Sequence, residues 1–284
     1  MSDDTYWTDD PSELLRVQPG FRLSQQPTDG TPGFAGGKRE GEKALARGAG
    51  RLADLQEQLF ACGREGEPRS VLLVLQAMDT AGKGGIVSHV IGAMNPGGVQ
   101  YAAFGAPTPE EQAHDFLWRV WREVPAAGRI GVFDRSHYED VLIGRVRKLA
   151  PPDELERRYG AINAFEKELA QSGTTILKVM LHLGKDEQRK RLESRLNRRD
   201  KLWKFNPADV DERLHWDDYQ EAYQLAFDRT TSAYAPWFVV PADHKWYARV
   251  AVQQLLIRAL EALGLEWPLP DYDVEEQKRR LAAS

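Results

Sequence analysis

Val71-Leu72-Leu73-Val74-Leu75-Gln76-Ala77-Met78-Asp79-Thr80-Ala81-Gly82-Lys83-Gly84-Gly85-Ile86-Val87 is the stretch on which the reading of this chain turns. Its first five residues are a continuous apolar run of strand length, the pattern of a strand covered on both faces of a parallel sheet. Apolar residues return at Ile86, Val87, Val90 and Ile91 with helical spacing, so the order is strand, tight turn, helix. Such a turn aims several backbone N–H groups and a helix N-terminus at one point, which suits a phosphate, and Lys83 adds a full positive charge. The common phosphate-binding pattern is GxxxxGK[ST]; here Ala77 stands at its first glycine and Gly84 replaces the hydroxyl residue that ligates magnesium. A divalent ion would then need carboxylates, Asp79 in the turn and Asp134 elsewhere. A structural glycine-rich turn with an exposed lysine is the plain alternative.

Outward from this unit, apolar runs recur at Ile130 to Phe133, Ile176 to Leu181 and Trp237 to Val240, separated by stretches with helical spacing. Alternation of strand and helix predicts a parallel α/β sheet. Leu52, Leu55 and Leu59 predict an amphipathic helix over Lys38 to Ala61, ended by Gly63. Thr108 as N-cap, with Pro109, Glu110 and Glu111 in the first turn, predicts a helix that turns Phe116, Leu117, Val120 and Trp121 inward. Another helix is expected from Asp153 to about Ala170. Residues Met1 to Gly37, rich in Gly, Pro, Asp and Thr, read as an irregular arm whose Trp7 and Phe21 pack on the body.

Composition bounds the function. The chain has 284 residues, long enough for one large domain, with 38 basic against 43 acidic residues. A pI of about 5.8 argues against a broad nucleic-acid surface. One cysteine, Cys62, can form neither an internal disulfide nor a multi-cysteine metal site, which fits a reducing cytoplasm. No run approaches the roughly 18 apolar residues of a membrane span, and Met1 to Asp10 lacks a secretory core. The six histidines lack a zinc-ligand spacing, and Ser136 lacks the GxSxG setting of a hydrolase nucleophile.

Two further segments carry chemistry. Asp134-Arg135-Ser136-His137-Tyr138-Glu139-Asp140 follows the strand Ile130 to Phe133. Ligands of parallel sheets bind beyond the carboxyl ends of the strands, so Asp134 and the Lys83 turn should share one crevice. A carboxylate there can hold Mg²⁺ and an adjacent arginine can clamp phosphate oxygens. From Lys185 to Lys204 there are nine basic residues against four acidic ones, in a chain whose total is −5. Arg191, Arg195 and Arg198 recur on one helical face, with Leu192 and Leu196 on another, so the row could meet a phosphate chain or simply be a solvated face. Trp203-Lys204-Phe205-Asn206-Pro207 and the aromatics Trp216 and Tyr219 read as the rest of a lid.

These residues resemble a family-2 polyphosphate kinase. The resemblance spans about Leu55 to Arg249 and rests on Ala77 to Gly85, on Phe133 to Asp140, on the basic segment with Trp203-Lys204-Phe205, and on Pro236-Trp237 through Val240 to Tyr247. The arm before about Gly20 and the tail after Trp267 carry little of it. It implies an α/β fold: a three-layer α/β/α P-loop kinase-like domain with a parallel sheet and a helical lid. The expected division is an arm over 1–37, a kinase-like domain over 38–267 with its lid at about 185–216, and a tail over 268–284.

The resemblance also implies reversible transfer of the terminal phosphoryl group of inorganic polyphosphate to AMP or ADP, with GMP and GDP as further acceptors. Mg²⁺ (or Mn²⁺) would be the cofactor, held by Asp79 and Asp134, with Asp79, Lys83, Asp134 and Arg135 as the catalytic set. Gly82, Lys83, Gly84, Gly85, Arg191, Arg195, Arg198, Lys201 and Lys204 would bind phosphate, and Tyr138 and Glu139 the nucleotide. Glu139 resembles the subgroup acting on both AMP and ADP. The implied partners are polyphosphate and nucleotides (AMP, ADP, ATP), with no nucleic acid and no membrane, in a homo-oligomer. The rivals are an ATP-dependent nucleoside monophosphate kinase and a non-catalytic nucleotide- or polyphosphate-binding regulator.

Overall fold

The computed structural model describes residues 6–284, so the first five residues of the expected arm lie outside the described residues. Five strands, β1 (Ser70–Ala77), β2 (Val99–Ala103), β3 (Ile130–Asp134), β4 (Thr174–His182) and β5 (Trp237–Pro241), form one sheet in the order β2-β3-β1-β4-β5. Every pairing is parallel. The helices used below are α1 (Lys38–Arg64), α2 (Lys83–His89), α3 (Pro152–Gln171), α4 (Lys185–Leu196), α5 (Trp216–Thr230), α6 (Lys245–Ala262) and α7 (Val274–Ala282).

The apolar run of β1 is explained by alternation across a sheet covered on both sides. Val71, Leu73 and Leu75 pack on the layer of α1, α2 and α6 with Leu52, Leu59, Ile86 and Val250. Leu72 and Val74 face the opposite layer, where α3 and α5 supply Ile162, Phe165, Tyr223 and Phe227. The three-layer α/β/α architecture follows directly. Because all strands run the same way, the ends of β1 and β3 emerge together, with Leu75 paired to Asp134.

Three expectations need correction. The first concerns the Thr108 helix. Its capping box forms, Glu111 N donating to Thr108 Oγ1 at 3.3 Å and Thr108 N to Glu111 Oε2 at 2.7 Å, but the helix stops at Gln112. Asp115 Oδ1 accepts from Leu117 N at 3.0 Å and starts a separate turn, Trp118–Trp121, which leaves Trp121 half exposed. Secondly, Gly63 does not end α1, which runs on to Arg64; the glycine is needed there for a close approach, since a Cβ would sit 2.4 Å from the Cα of Gly128. Thirdly, the arm is less irregular than its composition suggests. Val17 N donates to Trp237 O and Val239 N to Leu15 O, both at 2.8 Å, so residues 15–17 run antiparallel along the open edge of β5. The Trp7 ring meets Phe34 at 5.3 Å and Phe21 meets Phe227 at 5.8 Å.

β2 is the strand that the sequence pattern did not show. Among the described residues no helix is long and apolar enough to cross a membrane. Helix α7 has no buried residue.

Candidate active site

At the carboxyl end of β1 the chain makes the tight turn that leads into α2. Gly82 has φ 125°, a backbone that side chains exclude, and Thr80 sits in the left-handed region at φ 68°. Gly85 N donates to Gly82 O at 2.8 Å and closes the turn, which we call the glycine loop. Lys83, the first residue of α2, folds its Nζ back to 3.4 Å from Ala77 O. This leaves the ammonium over the loop with a single long bond.

β3 delivers the second set. Arg135 lies in the left-handed region at φ 62°, with its N–H donated to Leu75 O at 3.0 Å, so the chain turns sharply at the strand end and sends the guanidinium across to Asp79, 3.0 Å from Oδ1. Burial disfavours the Arg135 charge, but Glu139 and Asp79 beside it more than compensate, and its pKa is raised. Asp134 accepts from the hydroxyl of Tyr101 on β2 at 3.3 Å.

These groups line one open cleft of about 600 Å³. Of the residues singled out from the sequence, Asp79, Gly82, Lys83, Gly84, Gly85, Asp134, Arg135, Arg195, Lys201 and Lys204 are on its wall. With Arg249 the wall carries six cationic side chains against two carboxylates, a strong excess of positive charge in a chain of negative total. Arg195 is steadied by Lys204 O at 2.9 Å and by Asp209 Oδ2 at 3.2 Å. The Asp209 pKa is raised by burial and by the charge of Asp79.

A second cleft of about 640 Å³ adjoins the first and shares Phe104, Gly105 and Arg135 with it. Its wall combines Phe104, Phe116 and Leu149 with Glu139, Asp140 and Arg119. Oriented to satisfy both neighbours, the Gln76 amide donates to Glu139 Oε1 at 2.9 Å and accepts from Ser136 Oγ at 2.9 Å. Burial raises the Glu139 pKa, opposed by the charges of Arg135 and Lys83. Arg119 is buried, donates to Gly105 O at 2.9 Å and lies over the Phe104 ring.

Three residues expected at the site stand elsewhere. Arg191 is 6% exposed, and all five of its N–H donors are engaged inside the protein, so it has none for a phosphate chain. Arg198 lies beyond the end of α4, pairs with Asp200 at 2.8 Å and is outside the cleft wall. Tyr138 is fully buried, its hydroxyl donating to Glu166 at 2.8 Å and accepting from Lys178 at 2.9 Å, so it cannot touch a nucleotide. Lys178 also donates to Glu166 Oε2 at 2.7 Å and Thr230 O at 2.8 Å.

Sequence reasoning missed Arg249, His89 and Tyr101. Arg249 and His89 line the first cleft from α6 and α2. The topology alone points to Arg249: α6 follows β5, and all strands are parallel, so its first turns start at the same carboxyl end of the sheet as the glycine loop. Among the described residues no cluster of three or more His, Cys, Asp or Glu could hold a metal.

Comparison with known proteins identifies the family of this chain. The profile of the family described as Polyphosphate kinase 2 (PPK2) matches residues 36–266. An AMP/ADP-polyphosphate phosphotransferase of Meiothermus ruber is 47% identical over 258 residues, covering 90% of this chain and 95% of its own. An ADP-polyphosphate phosphotransferase of Rhodopseudomonas palustris is 42% identical, covering 90% and 92%. The crystal structure of polyphosphate kinase 2 from Arthrobacter aurescens TC1 superposes with a TM-score of 0.96 at 57% identity, covering 98% of each chain.

Proposed function

The chain belongs to the polyphosphate kinase 2 family, and from that premise we propose how its cleft carries out the reaction. The protein is an enzyme, a phosphotransferase that moves a phosphoryl group between inorganic polyphosphate and a nucleotide. Transfer between two polyanions asks little covalent chemistry of a protein; it asks for charge neutralisation and in-line placement. The observation that carries the reading is the meeting of Lys83, Arg135, Arg195, Lys201, Lys204 and Arg249 on one wall, with Arg135 common to both clefts.

In this reading the donor chain lies in the first cleft. Its end rests on the backbone of Gly82 to Gly85 and on Lys83, with Lys201, Lys204, Arg195 and Arg249 along its length. The acceptor nucleotide occupies the second cleft, where Phe104, Phe116 and Leu149 offer an apolar wall. Arg135, at the junction, steadies the transferring group. The lid residues exclude water, so that transfer outruns hydrolysis. The functional unit is residues 38–267, with the lid at about 185–216.

Asp79 and Asp134 fit Mg²⁺ or Mn²⁺: Mg²⁺ takes one or two carboxylates with substrate phosphates and water, and both carboxylates line the cleft. Such an ion would supply neutralisation of phosphate charge. The Meiothermus ruber relative, named for both AMP and ADP, supports both as acceptors here, and Glu139 on the wall of the second cleft is the residue to which we assign that breadth. A homo-oligomer is supported by the exposed Trp267 at the end of the domain and the exposed Leu269 and Tyr272 just beyond it. A cytoplasmic setting is supported by the single, buried and free cysteine.

The test is product analysis after mixing the protein with polyphosphate, Mg²⁺ and either AMP or ADP. ADP and ATP, respectively, are expected with polyphosphate as sole donor; a requirement for ATP as donor would favour the monophosphate-kinase rival. Binding with no product would favour the regulator.

A further inference from the structure

Two side chains of α4, one turn apart, hold three successive carbonyls of the glycine loop. Gln188 Nε2 donates to Asp79 O at 3.0 Å, and Arg191 Nη1 donates to Thr80 O at 3.1 Å and Ala81 O at 2.8 Å. Arg191 Nη2 reaches the segment after β5, donating to Ala242 O at 2.7 Å and Asp243 O at 2.9 Å, and its Nε donates to Glu187 at 2.8 Å. The far root of the lid arrives at the same place. Arg213 Nη1 donates to Gln188 Oε1 at 2.6 Å and to Lys185 O at 2.9 Å. Below them, Asp243 accepts from Gly184 N at 2.8 Å and from Thr28 Oγ1 at 2.7 Å, which fixes the start of α4 against the arm.

We propose that Gln188 and Arg191 are positioning residues that set the glycine loop for phosphate and make the base of the lid a fixed joint. A trans peptide points its carbonyl and its N–H in opposite directions. Holding the carbonyls of residues 79 to 81 on the α4 side therefore turns the N–H groups that follow them away from α4, and it maintains Thr80 in a conformation that L-residues rarely adopt. The same contacts keep the first turns of α4 from moving with the lid. Motion is confined to the segment between Leu192 and Arg213, which carries Arg195, Lys201 and Lys204. Because Gln188 touches both the loop and Arg213, the far root of the lid is tied to the same joint.

The inference rests on the cleft being the phosphate site, and the test separates the two. Inorganic triphosphate binding is measured by calorimetry, alongside kcat and KM for polyphosphate and for ADP, in Arg191→Met, Arg191→Lys and Gln188→Met, with near-UV circular dichroism as the check on folding. Arg191→Met is expected to weaken triphosphate binding and lower kcat by about tenfold each, with KM for ADP within twofold of wild type. Arg191→Lys keeps the charge but loses the five-donor fork, and is expected not to restore either value. Gln188→Met, which removes one donor and leaves Arg191 in place, is expected to show the same pattern at several-fold, and it decides the matter where Arg191→Met does not fold. Triphosphate binding and kcat at wild-type level in folded Gln188→Met, or full restoration by Arg191→Lys, would overturn the proposal. Should wild type bind triphosphate but transfer nothing to ADP, the enzymatic reading fails while the binding arm still tests the joint.

Discussion

Lys178 lies on β4 and Lys83 opens the helix that follows the neighbouring strand β1, and the protein treats their charges in opposite ways. The Lys178 ammonium is fully buried and meets three acceptors within 2.9 Å, among them the Glu166 carboxylate. Burial pulls the Lys178 pKa down, whereas the Glu166 carboxyl, despite its own burial, is held below its ordinary value by Lys178 and His137. Lys83 has one long bond to a carbonyl and faces open cleft. A charge whose partners are all internal serves the fold. One whose partners are absent is available to a ligand, and that distinction separates structural from functional cations here better than residue type does.

The contrast can be broken most forcefully at the buried pair. Lys178→Met leaves the Glu166 carboxylate without its main partner and should cost about 3–5 kcal/mol. Urea unfolding would show the loss, with KM for polyphosphate unchanged in the molecules that remain folded. An unaltered unfolding midpoint would refute the assignment of Lys178 to structure. At the open cation the reverse is expected: Lys83→Ala should lower turnover about 10²–10³-fold, the scale for removing one preorganised charge contact. Its thermal midpoint should stay within a degree of wild type, and near-normal turnover would remove Lys83 from the mechanism.

The pair can also be sharpened by pH. A carboxyl whose pKa is lower in the folded than in the unfolded chain gives stability that is present above its unfolded value and is lost as pH falls. For Glu166 that loss begins below its ordinary 4.5, so wild type should weaken as acid is added through that range. Glu166→Gln, less stable at neutral pH, should show a flatter acid limb in denaturant titrations; parallel limbs would contradict it. The smallest effect is expected at the edge of the cleft. Arg249→Ala should raise KM for polyphosphate a few-fold and reduce the slope of log affinity against log salt by about one, by analogy with other polyanions. An identical salt slope would take Arg249 out of the binding wall.

The same contrast explains what could be read in advance. β1 and its loop were legible because a doubly covered strand, a glycine turn and a helix leave a joint signature. β2 was not, because a short edge strand with one buried residue, Ala102, has no apolar run to show. The basic segment was visible as charge, but a list of residues does not say which way each points. Arg191 lies on the face of α4 turned to the body, beside buried Leu192, whereas Leu196 is half exposed. Tyr138 precedes Glu139 by one position and faces the opposite way, into the core. Arg249 carried no local signal and emerged only when the topology put the start of α6 at the loop.

The pairing of residues 15–17 with β5 bears on how the chain is built. Residues 15–17 precede every strand of the sheet in the chain, whereas β5 is the last strand to be synthesised, so this segment has to wait for nearly the whole domain before it can dock. Contacts of such long sequence separation form slowly. In a growing chain the unfinished sheet edge and the unattached segment are therefore both exposed to other molecules until β5 has been made.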